Sequence, residues 1–289
     1  MIKSKRDRSK KWILITGANT GIGRACTEYL AKNGFKVYAC ARKQRDIDEL
    51  SQIENVVSIR LDVTKEEDIK TALGIVRAGE EGLFGMINNS AIVVGGPLLD
   101  ITEEEFAQQL EVNLIGLHRV TRAFAPLILE AKGRIIMMGS VNGVIATPFN
   151  GAYCASKFGL EGYSDALRRE LLLYGVKVIL IQPGLIETSI WDKLIKDLEN
   201  YKKKEPIIED LGEIYKKNLI KAIRENRSNF IAPGYVARVI YKVLTSSRPK
   251  ARYMVTRRVR KMQLKIGRMF SDKIMDKLVL QWVFRDQKL

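Results

Sequence analysis

The sequence predicts an α/β fold, a doubly wound parallel sheet of about seven strands flanked by helices. Three observations carry this. Short apolar runs alternate with helix-period segments along most of the chain. The first run, residues 12–16 (WILIT), shows no polar alternation, as expected of a strand buried on both faces. It leads straight into a glycine-rich turn, Thr16-Gly17-Ala18-Asn19-Thr20-Gly21-Ile22-Gly23, and then into a helical pattern.

The elements follow in order. A helix over 22–33 ends at Gly34, a residue suited to a helix C-cap. Strands are expected over 35–41 and 56–61, with a short helix over 46–51 between them. A helix over 65–79 precedes a strand at 84–88. One long helix over 103–131 carries Asn113 in mid-run. A strand at 134–138, a helix over 152–174 and a strand at 176–181 come next. Parallel strands joined through helices need crossovers, and right-handed crossovers cover both faces of the sheet, which is a Rossmann-type layout. Residues 189–227 leave this rhythm: they are helical, heavily charged at Lys202, Lys203, Lys204, Glu209 and Asp210, and broken at Pro206. They read as a helical insertion. A helix over 233–246, a last strand at 252–255 and a basic helical tail complete the chain.

Composition narrows the function classes. The 289 residues suit one large α/β domain or two small ones, and the 46% hydrophobic content is enough for a sizeable core. No internal repeat or low-complexity tract is present, and no run approaches the roughly 18–20 apolar residues of a membrane-spanning helix. The basic N-terminal residues are followed by an apolar run too short for a signal-peptide core. Cys26, Cys40 and Cys154 show no C-x-x-C spacing and read as reduced, buried thiols of a cytosolic protein. A single histidine, His118, lies in an apolar helical run and suits a structural role; a Cys/His metal cluster and a Ser-His-Asp hydrolase are both disfavoured, and no metal ligand is assigned.

The net charge of +16 sits at the two ends: residues 1–11 carry +5, residues 246–289 carry +10, and the body only +1. Basic ends suit an anionic partner, whether a membrane surface, nucleic acid or an acidic carrier protein, or serve solubility alone.

Two clusters carry chemistry. In the glycine turn, glycines let the backbone approach a pyrophosphate while the helix start offers free N–H groups and a positive dipole end. The second strand ends Ala39-Cys40-Ala41-Arg42-Lys43, with no acid where one would accept bonds from the ribose hydroxyls of NAD. Arg42, with Lys43 or Arg24, suits a 2′-phosphate instead, which favours NADP(H) over NAD(H). Asp62 either accepts a bond from the adenine amino group or caps the helix starting near Lys65. In the second cluster, Tyr153 and Lys157 are four residues apart and share a helix face. A phenol beside an ammonium is easier to ionise and can exchange a proton near neutral pH. Alone this spacing is common on solvated helices, and Ser140 alone reads as a turn or cap residue before Asn142-Gly143.

Together these residues resemble the classical short-chain dehydrogenase/reductase family over residues 12–255, in the branch of hydroxysteroid and retinol dehydrogenases. Thr16–Gly23 matches that family's cofactor turn. Asn88-Asn89-Ser90-Ala91 matches its Asn-Asn-Ala-Gly element, with bulkier Ser90 and Ala91 at the last two places. Asn113, Ser140, Tyr153 and Lys157 match its catalytic quartet, and Pro183-Gly184 followed by Thr188 matches the element that packs on the nicotinamide. The resemblance implies that Tyr153 is the general acid/base and Ser140 holds the carbonyl. Lys157 would bond the nicotinamide ribose and lower the Tyr153 pKa, and Asn113 would hold a relay water. It implies nucleotide contacts from Gly17, Asn19, Thr20, Gly21, Ile22, Gly23, Arg42, Asp62 and Val63 on one side. On the other come Asn89, Ser90, Ala91, Tyr153, Lys157, Pro183, Gly184, Ile186 and Thr188. The organisation it implies is a basic segment 1–11, a dinucleotide-binding catalytic domain 12–255 with a substrate lid over 185–227, and a basic amphipathic extension 256–289.

The substrate walls expected are apolar: Ile186, Ile190, Trp191, Leu194 and Ile195 in the lid, Val93, Val94 and Pro97, and Val144, Ile145, Pro148 and Phe149. They suit a small lipophilic carbonyl or alcohol of steroid, retinoid or lipid type. In the tail, Val259, Met262, Ile266, Met269 and Phe270 form one stripe and Ile274, Met275, Leu278, Val279, Trp282 and Val283 another, with the basic residues largely elsewhere. Such helices lie in a bilayer interface, dock on the protein body or form an oligomer contact. The expectation is a cytoplasmic enzyme, peripheral at a membrane, paired as a homodimer or homotetramer as the family usually is through the helix carrying Tyr153. Its rivals are a 3-oxoacyl-[acyl-carrier-protein] reductase and a non-catalytic nucleotide-binding scaffold or sensor. Nucleic acid is not expected, because no nucleic-acid-binding motif accompanies the charge.

Overall fold

The computed structural model describes residues 11–79, 82–199, 207, 211–267 and 270–283. The basic N-terminal segment other than Lys11, and Lys202, Lys203, Lys204, Pro206, Glu209 and Asp210 of the insertion, lie outside the described residues.

Seven parallel strands form one sheet: β1 (Trp12–Ile15), β2 (Lys36–Ala41), β3 (Val56–Arg60), β4 (Gly85–Asn88), β5 (Arg134–Met138), β6 (Lys177–Pro183) and β7 (Arg252–Val255), in the order β3-β2-β1-β4-β5-β6-β7. Helices α1 (Gly21–Lys32), α2 (Gln44–Ser51) and α3 (Glu66–Ala78) make the first crossovers; α4 (Glu103–Leu110), α5 (Gly116–Glu130) and α6 (Gly151–Leu171) make the next two. After β6 come α7 (Ile190–Glu199), α8 (Leu211–Asn226) and α9 (Pro233–Thr245), and after β7 the tail helices α10 (Arg258–Gly267) and α11 (Asp272–Val283). The alternation of strands and helices expected from the sequence is found, with one helix interrupted.

Strand side chains alternate between two cores. Leu14, Met86, Ile135, Met137 and Leu180 pack under α3, α5 and α6, with Val76, Phe124 and Leu160. Ile13, Ile15, Ile87, Ile136 and Ile181 face the opposite way, under α1 and α9, with Leu30, Val236, Ile240 and Leu244. Each fully buried aliphatic side chain contributes about 1.5–3 kcal/mol, so the central strands β1, β4 and β5 are closed on both faces by burial, while the edge strand β3 runs Ser58-Ile59-Arg60 with only Ile59 buried. Successive strands are added on one side of β1 up to β3 and on its other side from β4 on, and this switch opens a crevice at the carboxyl ends of β1 and β4.

One element departs from the expected pattern. The long helix over 103–131 is not continuous: residues Glu111–Ile115 form a π-helical turn between α4 and α5, centred on Asn113. The widened turn accommodates the buried Asn113 amide, whose partners lie off the helix.

Candidate active site

The glycine turn is built as its sequence demands. Gly17 and Gly21 adopt positive φ (61° and 53°), and Gly23 has no room for a side chain, since a Cβ there would strike Gly17 O. The turn is latched to the end of β4. Thr16 Oγ1 accepts from the N–H groups of Asn89 (2.9 Å) and Ser90 (3.0 Å), while Asn89 Nδ2 donates to Thr16 O (3.1 Å) and Gly17 O (3.0 Å). At the start of α1, Thr20 makes no side-chain cap bond and the first turn has no acid. Gly21 and Ile22 there face the cleft, so the helix end presents backbone N–H groups and a positive dipole to it. This cradle fits a dinucleotide pyrophosphate.

At the ends of β2 and β3, Arg42 Nη1 stands 3.8 Å from Asp62 Oδ2, with its own side chain 63% exposed. Asp62 Oδ1 accepts from Thr64 N (3.0 Å) and Thr64 Oγ1 (2.8 Å). Asp62 thus stabilises the turn ahead of α3 and makes no cap bond, because Lys65 occupies the cap position. Asn19 Nδ2 donates to Asp46 Oδ2 at 2.8 Å, tying the glycine turn to α2. Arg24 is turned away into an ion pair with Glu28 at 2.5 Å.

The second cluster lies at the end of β5. Ser140 is buried, accepts from Asn142 N at 3.1 Å and lines the same cleft as Tyr153, with its hydroxyl near the phenol. Its turn-capping role and its place beside Tyr153 coexist. Lys157, one helical turn after Tyr153 on α6, is 2% exposed; its Nζ donates to Met138 O at 2.8 Å and sits 5.6 Å from the Tyr153 ring centre. Burial pulls the ammonium down to about 8. The expected lowering of the Tyr153 pKa by Lys157 is not what this geometry gives. Burial pushes the phenol up, against a smaller downward effect of the nearby Ser140 hydroxyl.

Asn113 plays a part its sequence position did not disclose. Its amide forms a two-way clamp on Ile92, with Oδ1 accepting from Ile92 N (2.9 Å) and Nδ2 donating to Ile92 O (3.0 Å). Nδ2 also donates to Ser156 Oγ (3.2 Å), and Ser156 Oγ donates to Tyr153 O (2.7 Å). Both side-chain N–H groups are committed, so the side chain links the loop after β4 to the helix of Tyr153 and Lys157. Gln109, fully buried one turn earlier, repeats the device: Oε1 accepts from Val94 N (2.7 Å) and Nε2 donates to Ile92 O (3.0 Å). The signal for Gln109 was present, an amide four residues before another on one helix face.

The two clusters open into one cleft of about 1450 Å³. Every residue expected to touch nucleotide lines it except Gly23, which lies behind the turn; Asn113 is likewise buried behind it. Of the expected apolar walls, Val93, Pro148, Phe149, Ile186, Trp191 and Leu194 line the cleft; Val94, Pro97, Val144, Ile145 and Ile195 do not, and the side chain of Ile190 lies outside the described residues. Val94 turns its N–H to Gln109 instead. Leu219, Phe230 and Ile223 add to the wall from α8 and the segment after it. The excursion after β6 is clasped at its base. Ile186 pairs with Ile231 in a parallel bridge; Ile231 N donates to Leu185 O and Glu187 N to Ile231 O, each at 2.9 Å. Trp191 Nε1 donates to Ile186 O at 2.7 Å. The tail is not remote from this cleft: Thr256, Arg257, Arg258 and Gln263 form part of its rim. His118 is exposed, with Nδ1 3.2 Å from the Tyr163 hydroxyl, and does not line the cleft. Cys26, Cys40 and Cys154 are buried free thiols, the first two pushed up to about 12 by burial.

The profile of the short chain dehydrogenase family matches residues 11–199. A 3-amino-tetrahydro-pyrrolizinone reductase of Xenorhabdus hominickii is 34% identical over 263 residues, 86% of this chain and 87% of that protein. Retinol dehydrogenase 16 of Mus musculus is 34% identical over 84% of this chain and 80% of its own length. A short-chain dehydrogenase from Streptomyces avermitilis superimposes with a TM-score of 0.75 at 25% identity, covering 96% of this chain and 98% of that one. The chain belongs to the classical short-chain dehydrogenase/reductase family, nucleotide-binding oxidoreductases acting on alcohol and carbonyl groups, in the branch that resembles retinol and hydroxysteroid dehydrogenases. Among the described residues no helix is long and apolar enough to cross a membrane.

Proposed function

We propose that this chain is an NADP(H)-dependent oxidoreductase that interconverts a carbonyl and an alcohol on a small lipophilic substrate of steroid, retinoid or lipid type. The observation that carries the reading is Ser140, Tyr153 and Lys157 lining one cleft with the glycine turn, Tyr153 and Lys157 on the same helix face. The glycine turn, Arg42 and the Pro183-Gly184 segment would hold the nicotinamide nucleotide, which when bound would supply or accept hydride. Tyr153 delivers the proton to the carbonyl oxygen in reduction and removes it in oxidation. Ser140 donates a hydrogen bond to the same oxygen. Because burial keeps the phenol protonated through neutral pH, Tyr153 stands ready as the acid of reduction. Lys157 fixes the floor of the site through Met138 O, and Asn113 positions the Tyr153 helix against the loop at Ile92.

NADP(H) is favoured because the β2 end offers Arg42, facing the cleft, where an acid would serve NAD. The walls Val93, Phe149, Trp191, Leu194 and Phe230 favour an apolar substrate body. The same reading has residues 12–255 as the catalytic domain, residues 185–227 as a substrate lid, and a cytoplasmic homodimer or homotetramer. It places the tail on a membrane surface, since Met262, Ile266, Phe270, Ile274 and Leu278, each four residues from the next, are all exposed. The side chains of Val259, Trp282 and Val283, and Met269 as a whole, lie outside the described residues. Tyr153→Phe tests the mechanism: turnover of NADPH with ketones should fall by about 10²–10⁴-fold while NADPH affinity stays within about twofold. Surviving activity would refute the assignment. Liposome flotation with and without residues 256–289 tests the membrane contact, and equal flotation of both sinks it.

A further inference from the structure

We propose that the substrate carries an anionic group at the end away from the reacting carbonyl, and that Arg258, with Arg257 beside it, receives that group. The inference rests on the reading that Ser140 and Tyr153 hold the carbonyl. β5, β6 and β7 are neighbouring parallel strands, and their carboxyl ends deliver Ser140, Gly184 and Thr256 to one edge of the cleft. Thr256 lies directly against Gly184, where an added Cβ would meet Thr256 Oγ1 at 2.6 Å. Adjacent strands are spaced by about 4.8 Å, so the arginines leave the backbone about 10 Å along the sheet from Ser140. Apolar lid residues, Trp191, Leu219 and Phe230, wall the same cleft.

The charge at this rim is in surplus. Arg257 Nη2 donates to a backbone carbonyl, Ser228 O, which docks the end of the lid and leaves the guanidinium charge uncompensated. Among the described residues no carboxylate forms an ion pair with Arg257 or Arg258. Of the acids on the lid helices, Glu225, which lines the cleft, pairs with Lys221 at 3.9 Å, Glu199 with Arg224 at 3.5 Å and Asp192 with Arg227 at 2.7 Å. Two unneutralised guanidiniums bordering an apolar cleft select an apolar chain that ends in a carboxylate or a phosphate. A steroid or retinoid without such a group leaves them idle.

Equilibrium dialysis of the full chain loaded with NADPH, against radiolabelled dodecanoate, dodecyl phosphate and dodecanol, tests this without requiring turnover. At least one anion should bind about tenfold tighter than dodecanol, and the tighter of the two identifies the head group. Arg258→Gln should erase that preference, Arg258→Glu should invert it, and NADPH affinity should hold within about twofold in both. Raising the salt should shrink the preference in the wild type. Equal binding of all three ligands overturns the proposal, as does a preference that survives Arg258→Gln. A parallel loss of NADPH affinity also overturns it, because Arg258 would then serve the nucleotide. Failure here with neutral ketones still reduced leaves the oxidoreductase reading intact, whereas a fully active Tyr153→Phe sinks that reading whatever the dialysis returns.

Discussion

Lys157 is a cation enclosed by protein, and its cost is readable as a pH dependence of stability. Replacing it by methionine keeps the length and removes the charge. Burial takes the ammonium from its ordinary 10.5 to about 8. A lysine whose folded value lies below its unfolded value binds fewer protons folded than unfolded between the two. Stability therefore rises with pH across that window. The cost is full below about pH 8 and fades as pH approaches the unfolded value. Over pH 7 to 10 the linkage amounts to about 2–3 kcal/mol. Lys157→Met also loses the 2.8 Å bond to Met138 O, an offset of about 1–3 kcal/mol that does not depend on pH. The stability of the variant relative to wild type should thus fall by about 2–3 kcal/mol between pH 7 and 10. Urea unfolding of both proteins without nucleotide at pH 7, 8, 9 and 10 measures it, and every other titrating group cancels in the difference. A difference that stays flat with pH would mean that Lys157 keeps its ordinary affinity for protons, and the burial argument would fail.

Arg42→Ala should weaken NADPH by about tenfold and leave NADH nearly unchanged, as read by fluorescence titration of both nucleotides; an equal loss for both removes the 2′-phosphate argument. Gly23→Ala forces a Cβ onto Gly17 O and to 2.7 Å from Asn89 Nδ2, so thermal unfolding should show a loss of about 1–3 kcal/mol together with loss of nucleotide binding. Asn113→Ala leaves the part-buried N–H of Ile92 without its acceptor and removes the donor to Ser156 Oγ, while Ile92 O keeps Gln109 Nε2; it should cost about 1–3 kcal/mol. Asn113→Asp restores the acceptor alone and should recover part of that stability in the same melts.

The glycine turn, the sheet and the Tyr153–Lys157 pair were legible because they are local. An apolar run before Gly17 and a four-residue spacing on α6 depend on neighbours in the sequence. What escaped was set by partners far along the chain. Thr16 latches Asn89 across 73 residues, and nothing near Thr16 announces it. The π-helical turn follows from Asn113 reaching Ile92, a demand the helix-forming pattern of 103–131 conceals. The direction of the Tyr153 shift was misjudged because spacing reports the nearby cation and is silent about burial. Arg257 and Arg258 looked like members of a detached tail; only the position of β7 beside β6 brings them to the cleft.

The clasp between Ile186 and Ile231 has an evolutionary consequence. It pins the two ends of everything between them to the sheet edge, so the enclosed stretch is a loop whose closure is already secured at its base. Lengthening such a loop is cheap, about 0.6 kcal/mol for each doubling. Replacement segments from relatives can be grafted between Thr188 and Ile231 while the glycine turn, Thr188, Ser140, Tyr153 and Lys157 stay untouched. Substrate range in this architecture can therefore drift as an interchangeable cassette, under selection separate from that on the hydride-transfer chemistry.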